Sequence, residues 1–202
     1  MASTELPSAA PAPATAGSQG PGDHGPGARG ALQAALGAGA VTYLTAEPEA
    51  APGGVPVRLG VVAARFNADV TGRLLVGARA GWRSAGIDDG DVVVVEVPGA
   101  FELPLAAGDL ARSGRVDAVA CLGAVIRGET SHYDFVAGQC AAGCQAVQLD
   151  TGIPVVFGVL TTEDRAQALA RSGGDHGDKG AEAVETALEM AAVLRMLGAV
   201  AG

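Results

Sequence analysis

The chain has 202 residues, a formal charge of −9 and no run of basic residues, which excludes nucleic acid as a main partner. Hydrophobic residues make up 49% of it and aromatics only 3%, so its core is built from Val, Leu, Ala and Ile. The longest apolar run, near residues 91–97, is far too short to span a bilayer, and residues 1–50 lack the basic start and apolar stretch of a secretory signal, so no membrane partner and a cytoplasmic location are expected.

Residues 1–54 are dominated by Ala, Pro, Gly and Ser and cannot bury enough apolar area to offset their chain entropy. A disordered tail is expected there, with a weak helix or short strand over 31–43 as a local exception. Residues 55–202 read as one folded domain. A β-rich apolar run over 57–64 predicts the first strand. Asp69 or Thr71 then caps a helix running to about residue 85, stopped by Gly86. A second strand over 91–97 is nearly all valine, and valine on both faces predicts burial on both faces, as in a central parallel strand. Pro98-Gly99 turns the chain into a helix over 101–113, with Pro104 in its first turn. A third strand over 118–126, a helix over 133–150 and a fourth strand over 153–160 follow. Thr161-Thr162-Glu163-Asp164 opens a helix to about residue 172. After a glycine-rich bend, a last helix covers 179–197. Four strand–helix alternations with right-handed crossovers predict a three-layer α/β/α domain. Its four-stranded parallel sheet has order 2-1-3-4, flavodoxin-like in style.

The three cysteines are Cys121, Cys140 and Cys144. Cys121 falls in an apolar strand, and Cys140 and Cys144 share a helix face. No further ligand has metal-site spacing, so core packing is expected over a metal or a disulfide, in a reducing compartment.

The densest chemistry lies in residues 122–136, LGAVIRGETSHYDFV. A strand runs into a glycine turn, two hydroxyls and His132 at a helix start. Ligands of parallel α/β sheets bind at the carboxyl ends of strands, and a helix N-terminus suits a phosphate. No Gly-Lys-Ser/Thr and no G-x-G-x-x-G pattern occurs, so a small phosphoester is expected and not a nucleotide. The other strand ends add to the same edge. Phe66 can stack on a flat heterocycle, and Glu102 can accept from a polyol or amine. Arg171 can clamp a phosphate at a glycine bend, and Lys179 is the one lysine against twelve arginines. Each has a plain alternative: packing for Phe66, a dipole-favoured Glu102, a surface or capping His132, an Arg171 on a helix C-terminus, a chance survivor in Lys179.

Five ordered blocks carry a resemblance. They are Arg65-Phe66-Asn67, Val97 through Pro104, Gly123 through Tyr133, Phe157 through Thr162, and Asp178-Lys179-Gly180. Over about residues 57–197 the chain resembles lumazine synthase. That family condenses 5-amino-6-(D-ribitylamino)uracil with 3,4-dihydroxy-2-butanone 4-phosphate to 6,7-dimethyl-8-ribityllumazine, the riboflavin precursor, without metal or organic cofactor. The resemblance implies that Phe66 stacks on the pyrimidine and that Ala100, Phe101 and Glu102 hold the ribityl chain and ring. It implies that Ala124, Val125 and Ile126 bind the uracil edge through backbone, and that Glu129, Thr130 and Arg171 bind the butanone phosphate, Glu129 through its N–H. Phe157 would come from a neighbouring subunit, Lys179 would support the ribityl and phosphate region, and His132 would move protons. It further implies a homo-pentamer, a sixty-subunit shell given the short bend between Arg171 and Lys179, and riboflavin synthase as a partner. The competing readings are a Schiff-base enzyme built on Lys179 and a catalytically lapsed flavin- or lumazine-binding shell protein. A lapsed enzyme would be expected to have lost His132, Arg171 or Lys179, and all three are present.

Overall fold

The computed structural model of the protein describes residues 57–200; the expectations for residues 1–54 lie outside the described residues. Strand β1, Leu59–Ala64, leads into helix α1, Ala68–Ser84, and β2, Val92–Val97, into α2, Leu103–Arg112. Strand β3, Ala118–Ile126, leads into α3, His132–Thr151, and β4, Val155–Thr162, into the short α4, Arg165–Ala170. A two-stranded antiparallel ribbon, β5 (Ser172–Gly174) and β6 (Gly177–Asp178), delivers the chain to α5, Lys179–Val200. The main sheet is parallel throughout, with order β2-β1-β3-β4.

Strand residues alternate between two cores because successive side chains leave opposite faces. Leu59, Val61 and Ala63, with Ala118, Ala120 and Leu122, pack against Leu74 and Trp82 of α1 and Val184 and Leu188 of α5. On the other face Val62 and Ala64, with Val119 and Cys121, pack against Leu103 and Leu110 of α2 and Cys140 and Cys144 of α3. This is the α/β/α layering the sequence predicts. The α1–α5 contact needs a bare backbone: a Cβ on Gly180 would sit 1.9 Å from the Leu74 carbonyl oxygen.

Four local readings are corrected. Strand β2 lies at a sheet edge, and Val94 is exposed; a valine run reports β-propensity but not how many neighbours the strand finds. Helix α1 is entered by Asn67, whose carbonyl accepts from the amides of Val70 (2.9 Å) and Thr71 (3.0 Å), and not by a side-chain cap at Asp69 or Thr71. Thr161 and Thr162 extend β4, leaving Asp164 as the cap that accepts from the Gln167 amide at 2.8 Å. The helix expected from residue 101 begins instead with a 3-10 turn, Ala100–Glu102.

The three cysteines are free and buried, Cys121 against the α3 pair. Hydrogen bonding to Cys144 and burial push the Cys121 and Cys140 thiols up, so both stay neutral packing groups near pH 7. Among the described residues no group of three or more His, Cys, Asp or Glu is arranged to hold a metal ion. No described helix is long and apolar enough to cross a membrane.

Candidate active site

Three strand ends converge on one cleft of about 680 Å³. After β1 the chain continues as if to extend the sheet, the Arg65 and Phe66 amides donating to the carbonyls of Val97 (2.8 Å) and Pro98 (3.1 Å). Asn67 then turns it sharply. It is the one non-glycine residue with positive φ among the described residues, at φ 60° and ψ 48°, a left-handed conformation that asparagine adopts more readily than other residues with a side chain. Its side-chain amide donates to the Ala124 carbonyl at 2.9 Å, which ties the end of β1 to the end of β3. This bond spans 57 positions of sequence, and it holds the backbone strand end that the resemblance assigns to the uracil edge.

The 3-10 turn after β2 buries Ala100 and turns Phe101 outward. Phe66 is 70% exposed, Phe101 58% and Phe135 66%, and all three line the cleft. The chain has four phenylalanines, so three of them stand in one opening instead of the core. Ordinary packing therefore does not account for Phe66. Ala124, Val125 and Ile126 form the floor, with Glu102 at one side.

Residues 128–131 cross from β3 to α3 along the rim. Thr130 and His132 line the cleft, whereas Glu129 is exposed beside it and outside its lining. His132 is the first residue of α3, and its amide meets the Thr130 hydroxyl at 3.4 Å. The open N-terminus of a 20-residue helix thus faces the same opening as an exposed imidazole. An anion and a proton carrier can be served there together.

A second cleft, of about 350 Å³, lies between β4 and α5. Phe157, the fourth phenylalanine, lines it with Arg171, Lys179 and Glu182. The Arg171 guanidinium donates to the Gln167 carbonyl at 3.1 Å, the helix-end contact of its plainer reading, while remaining part of the cleft wall. Lys179 pairs with Glu182 one turn along α5, so an anion of the chain itself offsets the unfavourable lysine at a helix N-terminus.

Within one chain, the expected site therefore divides. Phe66, Ala100, Phe101, Glu102, Ala124, Val125, Ile126, Thr130 and His132 share the first cleft, and Phe157, Arg171 and Lys179 share the second. Thr130 and Arg171, both assigned to the phosphate, do not meet. Asn67, Tyr133 and Phe135 also line the first cleft although the sequence reading gave them no role. An asparagine three positions past a strand end, able to adopt the left-handed conformation, was the available signal for the first of these.

The family model described as 6,7-dimethyl-8-ribityllumazine synthase matches residues 56–195. With all four strands of the main sheet and both clefts inside that span, the chain belongs to the lumazine synthase family, a transferase family of riboflavin biosynthesis.

Proposed function

We propose that this protein condenses 5-amino-6-(D-ribitylamino)uracil with 3,4-dihydroxy-2-butanone 4-phosphate to give 6,7-dimethyl-8-ribityllumazine, phosphate and two waters. The observation that carries this reading is the first cleft itself: three separate strand ends bring aromatic walls, a backbone floor, a helix N-terminus and His132 to one opening.

Phe66 stacks on the pyrimidine, and the strand backbone at Ala124, Val125 and Ile126 reads its polar edge. Ala100, Phe101 and Glu102 hold the ring and the ribityl hydroxyls. The phosphate is held by the amides and hydroxyl of Glu129 and Thr130 and by Arg171, with Lys179 beside it. The 5-amino group attacks the butanone carbonyl, and loss of the first water gives an imine. Removal of a carbon-bound proton and departure of phosphate leave an enol, which returns to a ketone. The ribitylamino nitrogen closes on that ketone, and the second water leaves. His132 carries protons between these steps. Holding two reactants in register can supply about 7–11 kcal/mol of the barrier, and one positioned histidine adds about 10²–10⁴-fold. The enzyme works chiefly by orientation.

Because Phe157, Arg171 and Lys179 lie in a different cleft of the same chain, the reading includes a site shared between neighbouring copies. One chain's first cleft faces the next chain's second cleft, in a homo-pentamer and, with the short ribbon between Arg171 and Lys179, in a sixty-subunit shell. Riboflavin synthase would consume the product in the cytoplasm. The test is an absorbance assay for lumazine from the two substrates. Formation dependent on both substrates supports the reading, and no product from either order of addition overturns it.

A further inference from the structure

Arg127 belongs to neither cleft lining, but its neighbours Ile126 and Gly128 line the first and its backbone partner Thr162 lines the second. Its backbone amide donates to the Thr162 carbonyl at 2.9 Å, at the end of the β3–β4 ladder. From there its side chain reaches three groups on two elements. The Nε lies 2.8 Å from a Glu163 carboxylate oxygen in the β4–α4 connection. One terminal nitrogen donates to Asp134 of α3 at 3.1 Å, and the guanidinium carbon lies over the Tyr133 ring, 4.0 Å from its centre. Tyr133 and Asp134 are the two residues that follow His132 in the first turn of α3.

We infer that Arg127 is a positioning residue for His132 and Thr130: its guanidinium fixes the first turn of α3 against the β4–α4 connection, and so sets where the imidazole and hydroxyl stand over the first cleft. This rests on the proposed lumazine-forming reaction. Tyr133 packs against the core, but the loop that leads into this turn has little else to hold it. Residues 127–132 are exposed, and nothing lies within 4 Å of where a Cβ on Gly128 would be. The bonds within it are local ones, His132 to Thr130 and Asp134 to Ser131. A planar fork can hold two carboxylates from different elements while lying on a ring; a lysine at the same place is a point charge with one partner at a time.

Exposure separates this role from a stabilising one. The Arg127, Asp134 and Glu163 side chains are 36%, 59% and 63% exposed, and exposed ion pairs contribute little to folding. A misplaced catalytic group, in contrast, can cost orders of magnitude in rate. Removal of Arg127 should therefore be visible in turnover and nearly silent in thermal midpoint.

The experiment is steady-state kinetics of the full chain with each substrate varied in turn, on wild type, Arg127→Met, Arg127→Lys and Glu163→Gln, beside thermal melts. Arg127→Met is expected to lower kcat by at least about tenfold and to raise KM for the butanone phosphate, leaving KM for the pyrimidine within about twofold. Arg127→Lys should recover part of the rate, and Glu163→Gln should show the Met pattern in milder form. Wild-type kinetics in Arg127→Met, an equal rise in both KM values, or a rate loss matched by a lowered midpoint in all three variants would overturn the assignment. Should Arg127→Met fail to fold, the Lys and Gln variants decide by the same KM split. A wild-type chain that forms no lumazine removes the proposed reaction, and this inference with it, before any variant is compared.

Discussion

The backbone amide of Lys179 donates to the carbonyl of Arg171 at 2.9 Å, closing the β5–β6 ribbon and setting two cations eight positions apart on one cleft. The ribbon turns through Gly173 and Gly177 at φ 87° and 82°, values that favour glycine. Arg73 of α1 anchors it from outside, donating to the carbonyls of Ser172 at 2.9 Å and Gly173 at 3.2 Å. The spacing of Arg171 and Lys179 is thus held by backbone, and removing one side chain leaves the other in place.

That independence makes Arg171→Ala an informative change. It should raise KM for the butanone phosphate far more than for the pyrimidine, because a charge-assisted contact of about 1.5–3 kcal/mol is lost on one substrate alone. Equal changes in the two KM values, measured with each substrate varied, would remove Arg171 from the phosphate site.

His132→Ala should lose about 10²–10⁴-fold in kcat and keep residual turnover, since orientation survives the loss of a proton carrier. The measurement is kcat at saturation of both substrates. An unchanged kcat would place proton transfer on another group or on solvent.

A shared site makes a mixing prediction. His132→Ala and Arg171→Ala chains, assembled together from denaturant in equal amounts, should regain about a quarter of wild-type activity, since random assembly pairs an intact first cleft with an intact second cleft at one interface in four. Each variant refolded alone should stay low. Sedimentation at neutral pH reads the assembly itself: a single pentamer-sized species at micromolar protein rules out the shell, and a monomer rules out the shared site.

Away from the clefts, Asp117 joins the start of β3 to the start of β1 and to α5. It accepts from the Arg58 backbone and side chain at 2.8 Å and from Arg195 at 3.0 Å. Burial pushes its carboxyl up, but hydrogen bonds from Arg58 and the charges of Arg58 and Arg195 outweigh this and hold it below the ordinary 3.8. A lowered folded-state value contributes stability above the unfolded value and loses it as pH falls through the folded one. Asp117→Asn should therefore cost about 1–2 kcal/mol in urea unfolding at pH 7. The gap from wild type should close as the pH drops below 3.8. A gap that persists undiminished in acid would show that the charge contributes nothing.

Gly180→Ala should be among the most damaging single-methyl additions. The added Cβ meets backbone of Leu74 and not a side chain that can swing aside. We expect a loss of about 3 kcal/mol or more, at the upper end for overpacking. A urea midpoint close to wild type would mean that α1 and α5 separate freely.

The four main strands, the five helices and their order are legible in the amino-acid sequence, whereas the β5–β6 ribbon, expected as the end of a helix and a glycine-rich bend, is not. Residues 118–126 are legible as β3 to the residue, because an unbroken apolar run bounded by Asp117 and Arg127 has one plausible local form. Alternation of strand and helix, with right-handed crossovers, narrowed the sheet to a few parallel orders, and the expected 2-1-3-4 is the one found. The strand-end motifs marked one ligand edge, and Phe66, Glu102 and His132 do line a common cleft.

The rest was settled by packing, and in each case the deciding contact joins residues far apart in the chain. Valines 92–95 carry the same local pattern in an edge strand as in a central one; the number of partners is set by the sheet. Thr161 and Thr162 are good capping residues, yet β3 is long enough to pair with them, so they stay in β4. The left-handed turn at Asn67 is supported by a carbonyl at Ala124, and the Arg127 guanidinium beside the start of α3 is met by a carboxylate at Glu163. Above all, the split of the expected site into two clefts arises from packing. Adjacency in a motif list says which residues serve one chemistry, but their separation in space is set by which helix layers cover which sheet edge.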